Sequence, residues 1–126
     1  MSAPITIRHE RRGPEFTIRI QGPIVTGRGA EAILARVQRA LRGGARTVVL
    51  DLREVPVIDC GGMGLLLVCR EAAAVRGATL RVLHARGIVR AMLRLAALLE
   101  PLQAEPGEAA AGERRKGHDL PLLLSA

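Results

Sequence analysis

The sequence has no tryptophan, no tyrosine and a single phenylalanine, Phe16. A core without aromatics must be built from Leu, Val, Ile and Ala, and there are no rings on which nucleobases could stack. Lysine is nearly missing too: eighteen Arg and one Lys carry the formal charge of +7. The arginines are spread along the chain and not gathered in one block, so nucleic acid is not the expected partner. No apolar run approaches the roughly 18 residues needed to span a bilayer. Residues 1–15 are polar and Arg-rich, with no apolar stretch of the kind a signal peptide needs, so none is expected and the expected location is the cytoplasm.

Cysteine is limited to Cys60 and Cys69. On one helix they would lie roughly 13 Å apart along the axis, too far for a disulfide. Two free thiols fit a reducing compartment. His9, His84 and His118 stand singly, with no metal-ligand spacing among them. The chain shows no Ser/His/Asp set, no paired carboxylates and no phosphate-cradling glycine loop. It is therefore expected to be neither an enzyme nor the holder of a cofactor or metal.

What is present is a patterned α/β chain of 126 residues, short enough for one domain. Residues 5–8 and 16–20 alternate apolar and polar around the turn signal Gly13-Pro14, which predicts a hairpin. Ile33, Leu34, Val37 and Leu41 recur at helical spacing over 30–42, and Gly43-Gly44 ends that helix. Thr47 to Leu52 is a continuous apolar run except for Asp51, as in a strand covered on both faces. Asp51 is expected to cap the loop at the strand's end. Asp59 suits a helix N-cap, accepting from the amides of Gly61 or Gly62, before a helix that reaches Val75. Thr79 to Leu83 predicts another strand, and 86–97 another helix with Arg86, Arg90 and Arg94 outward. Residues 98–103 are expected to reach a last edge strand. From Ala104 the composition shifts to Glu, Ala, Gly and Pro. This sets expected boundaries of 1–104 for the folded domain and 105–126 for a C-terminal helix or mobile tail. Strands alternating with helices imply a sheet of four to five strands, mixed and mostly parallel, with helices packed on it.

Such sheets place their sites at the carboxyl ends of strands, which directs attention to Val48–Met63, VVLDLREVPVIDCGGM, and its Asp59-Cys60-Gly61-Gly62-Met63-Gly64 turn. The glycines cost up to about 1 kcal/mol each in a helix relative to Ala. Either a partner's backbone comes close there, or the helix packs tightly on the sheet. Met63, Leu67, Arg70 and Ala74 share one helical face. Leu66, Cys69 and Ala73 already supply a core face, so Met63 and Leu67 are expected to form an exposed apolar patch.

The stretch VVLDLREVPVIDCGGMGLLLVCREAAAVRGATLRVL resembles the central unit of the STAS domain, in particular the small anti-sigma factor antagonists of bacteria, whose pattern reads DL-x-x-V-x-x-I-D-S-[ST]-G-L-G-x-L. GPIV at 22–25 stands in the place of the family's G-E-L-D, and GIVRAMLRLAALLEPL is similar to the family's helix before its last strand. The resemblance implies a STAS fold over about Ile5 to Gln103. It also implies a kinase-like partner, an anti-sigma factor of the histidine-kinase-like ATPase type that phosphorylates the Ser or Thr after the motif Asp. That position is Cys60 here, followed by Gly61, and neither accepts phosphate from a Ser/Thr kinase. Val25 replaces the family's loop Asp. The expected docking surface is Val25 with Asp59, Cys60, Gly61, Gly62, Met63, Gly64 and Leu67, with the usual phospho-switch missing. Self-association is left open. Two other readings stand beside this one: a STAS subunit regulating a membrane transporter or lipid-transfer ABC complex, and a thiol sensor using Cys60 at a helix N-terminus.

Overall fold

Residues 5–104 are described by a computed structural model of the chain. Period-two alternation forms the predicted hairpin: β1 (Thr6–Arg12) pairs antiparallel with β2 (Glu15–Gln21). Gly13 turns it with a φ of 59°, a conformation that carries no side-chain penalty in glycine. Ile18 and Ile20 point into the core while Thr17 and Arg19 point away.

α1 (Glu31–Arg42) buries Ile33, Val37, Ala40 and Leu41 and stops where Gly44 takes a φ of 94°. The chain then returns as β3 (Thr47–Glu54), parallel to β2. α2 (Cys60–Val75) leads to β4 (Thr79–Leu83), parallel to β3, and α3 (Gly87–Leu95) follows. The sheet order is β1-β2-β3-β4, a mixed and mostly parallel sheet.

One face of the sheet supplies Ile18, Ile20, Val48, Leu50, Leu80 and Val82 to the core, and the helices cover it with Ile33, Val37, Leu66, Cys69, Val89 and Leu93. Each such aliphatic side chain stabilises the fold by about 1.5–3 kcal/mol on burial. The single phenylalanine sits at the margin, half-buried, with His9 stacked on it at 5.2 Å between ring centres.

Four expectations change. Residues 98–103 form turns and not a fifth strand. Ala97 and Gln103 take left-handed backbone angles at either end of the segment, and Pro101 has no N–H to offer a ladder. Contact with the sheet comes from the Leu102 carbonyl, which accepts from the Val82 amide at 3.1 Å. The second change is Arg90. Arg86 and Arg94 are exposed as predicted, but Arg90 is partly buried and its Nη1 has no hydrogen-bond partner among the described residues. That burial, with the charge of Arg94 as a smaller cause, lowers its pKa. The third and fourth are Met63 and Asp51, treated with the site. The expected C-terminal helix or tail over 105–126 lies outside the described residues.

Candidate functional site

Beyond Glu54 the chain turns through Val55 and Pro56, and Ile58 re-enters sheet geometry as a parallel bridge with Ile24. The Ile24 amide donates to the Val57 carbonyl at 3.1 Å, and the Asp59 amide donates to the Ile24 carbonyl at 3.3 Å. β2 and β3 are thus prolonged beyond the register shift near Arg19–Gln21, and the two loops behind them are held side by side.

Asp59 is the N-cap of α2, as its position in the sequence predicted. Oδ1 accepts from the Gly62 amide at 2.7 Å, and Oδ2 accepts from the Thr26 amide at 3.1 Å. One carboxylate therefore satisfies a free amide of the first helical turn and also ties down the loop after Ile24. Those amide donors, Gly62 first and Thr26 second, favour the charged form and hold the Asp59 pKa below the usual carboxylate range. Asp51, expected to cap the loop after the strand, lies instead inside β3, and its Oδ1 accepts from the amide of Arg53 in the same strand at 3.0 Å.

The three glycines of the turn divide. A β-carbon on Gly61 would collide with the Thr26 hydroxyl, and one on Gly62 would collide with the Ile24 carbonyl and the Ile58 side chain. At these two positions tight packing of the turn explains the glycine. A β-carbon on Gly64 would meet nothing within 4 Å among the described residues, so none of them requires glycine there.

Of the eight expected docking residues, Cys60, Gly61, Gly64 and Leu67 are exposed, and Val25 and Asp59 are half-buried. Gly62 is buried. Met63 is 7% exposed and belongs to the core, which corrects the expected Met63–Leu67 patch. The reason is helical spacing: 63, 66, 69 and 73 advance by three or four residues and fall on one inward stripe. The outward face instead runs Cys60, Gly64, Leu67 and Val68, with Leu67 37% and Val68 49% exposed. Sequence reasoning missed Val68 because the helix is apolar nearly all round. It also missed Thr26, a lone threonine whose role depends on a fold contact. Arg70, on the flank, donates from Nε to the Pro101 carbonyl at 2.8 Å.

Both thiols are free, Cys60 exposed and Cys69 buried. Burial pushes the Cys69 thiol up to about 12. No helix among the described residues is long and apolar enough to cross a membrane.

Comparison with solved structures establishes the same fold. An anti-sigma factor antagonist from Mycobacterium paratuberculosis is 19% identical, with a TM-score of 0.73 over 93% of this chain and 100% of that one. The anti-sigma factor antagonist SpoIIAA of Bacillus, in its unphosphorylated form, is 19% identical, with a TM-score of 0.69 over 88% of this chain and 96% of its own. A sulfate transporter family protein from Wolinella succinogenes is 22% identical, with a TM-score of 0.63 over 83% and 87% of the two chains. No curated protein matches the sequence. The family model described as "Mlab, STAS domain" matches residues 7–103. With that match spanning most of its length, the chain belongs to the STAS domain family.

Proposed function

We propose that this STAS domain is a cytoplasmic protein-docking regulator of the anti-sigma factor antagonist type and not an enzyme. In this reading the surface from Asp59 to Leu67, flanked by Val25 and extended by Val68, binds a kinase-like anti-sigma factor, and sigma factor is released. The observation that carries the reading is the outward face of α2. Leu67 and Val68 are exposed on a helix whose first turn is fixed by the Asp59 carboxylate. Exposed aliphatic side chains beside a rigid turn suit a protein partner. SpoIIAA has been solved in a phosphorylated form. Here positions 60 and 61 are Cys and Gly, so the docking face is not gated by phosphate on the turn. Incubation with the cognate kinase and ATP tests the gating: the turn stays unmodified, and phosphate on any residue of 59–64 contradicts the proposal.

A second reading is supported by the family description and by the sulfate transporter neighbour: the same face docks on a membrane transporter or on the ATPase of a lipid-transfer ABC complex. Affinity purification from the native cells separates the two. Recovery of a histidine-kinase-like ATPase supports the first and recovery of an ABC-type ATPase supports the second.

A further inference from the structure

The sheet has a second face, made by the residues that alternate with the core. Across β1, β2, β3 and β4 one row on it reads Arg8, Arg19, Asp51, Leu83, and the next reads Glu10, Thr17, Val49, Arg81. Val49 and Asp51 are buried at the centre of this face, Thr17, Arg81 and Leu83 are half-buried, and Arg8, Glu10 and Arg19 are exposed at its β1–β2 side. Clefts open on either side of Arg8 and Arg19, one lined also by Thr6, Gln21 and Glu54 and the other by His9, Glu10 and Thr17.

Like charges meet on this face where β1 adjoins β2. Arg8 and Arg19 are direct cross-strand partners, an arrangement of like charges that is unfavourable in a sheet. Arg19 Nε lies 3.5 Å from Asp51 Oδ2, and Arg53 Nη2 lies 3.9 Å from the same oxygen. One buried carboxylate therefore serves two guanidinium groups. The Arg8 guanidinium has no ion pair or hydrogen bond among the described residues. Glu10, the nearest acid along β1, is paired with Arg12 at 3.3 Å.

We infer that this face is a second docking surface, for an acidic segment of a partner protein whose carboxylates settle between Arg8 and Arg19. A carboxylate placed there would relieve the like-charge pair and meet planar guanidinium donors suited to it. The chemistry favours protein over nucleic acid because, among the described residues, neither Phe16 nor the His9 ring stacked on it belongs to the rows of this face. This surface is on the opposite side of the sheet from the helices, so an acidic segment held there leaves the α2 face free.

The test is a titration of the full chain with a polyglutamate peptide at low salt, followed by amide chemical shifts. The expected result is a set of perturbations centred on β1 and β2. Arg8→Gln weakens binding by about fivefold without lowering the thermal midpoint, and Arg8→Lys, which keeps the charge but not the planar fork, recovers only part of the loss. Arg39→Gln, on the exposed side of α1, leaves binding unchanged. Perturbations centred on α1 or α3 overturn the proposal, as does an equal loss with Arg39→Gln. Tighter binding of a DNA duplex at this same face also overturns it.

Discussion

The hydroxyl of Thr26 occupies the space that a β-carbon on Gly61 would need. The family pattern carries Ser or Thr at position 61. In this chain the side chain over the first turn of α2 is supplied instead from the loop after Ile24. The two positions are therefore coupled, although 35 residues apart in sequence.

Restoring the family residue should accordingly be harmful alone and tolerated in company. Gly61→Ser is expected to destabilise the fold by about 1–3 kcal/mol through overpacking against Thr26. In Thr26→Gly/Gly61→Ser most of that loss should be recovered, giving a coupling of about 1 kcal/mol or more. Urea denaturation of the two single variants and the double variant measures it. Additive single effects would show that Thr26 does not determine residue 61.

The Asp59 carboxylate makes stability depend on pH in a defined direction. Its folded-state pKa is lowered by the Gly62 and Thr26 amides, so its contribution is present above the unfolded-state value of about 4. It is lost as pH falls through the depressed folded value. Asp59→Ala should have a lower urea midpoint than wild type at pH 7, and the difference should shrink steadily below pH 4. A difference that persists unchanged in acid would assign the effect to packing and not to charge.

The two thiols should separate cleanly. Iodoacetamide is expected to modify Cys60 in the native protein and to reach Cys69 only on unfolding, as read by peptide mass spectrometry. The Cys69 thiol is held up at about 12 by burial. Its contribution is complete below the unfolded-state value of about 8.5 and is lost as pH rises towards 12. Cys69→Ala should therefore show a weaker alkaline loss of stability than wild type.

Met63 and Leu67 should behave as opposites. Met63→Ala removes a core side chain and is expected to cost about 2–4 kcal/mol of stability, with binding of the folded fraction intact. Leu67→Asp should leave stability within about 0.5 kcal/mol and weaken binding of the proposed anti-sigma partner at least tenfold in calorimetry. Unchanged binding by Leu67→Asp and Val68→Asp together would remove the α2 face from the proposed function.

These contrasts mark what the sequence could and could not reveal. The hairpin, both parallel strands and the Asp59 cap were legible because each depends on local pattern: alternation, glycine punctuation, or a carboxylate three residues before its amide. The inward turn of Met63 and the exposure of Val68 were not, because α2 is apolar on nearly every side and periodicity loses contrast there. The expected edge strand over 98–103 failed because an apolar run resembles a strand whether or not its backbone can pair. Left-handed angles at Ala97 and Gln103 decided the matter. The roles of Thr26 and of the Arg8–Arg19 pair depend on which strands adjoin, which no local pattern records.

The parallel bridge between Ile24 and Ile58 also has a temporal meaning. Its two halves are separated by all of α1 and β3, so the site belongs to the non-local, later-forming contacts of the fold. During synthesis Thr26 leaves the ribosome well before Asp59, and the loop it anchors has nothing to close on until the end of β3 has emerged. A nascent or partly opened chain therefore presents no finished turn at Asp59, and the docking proposed for that turn requires that the chain up to Asp59 and the start of α2 have already come together.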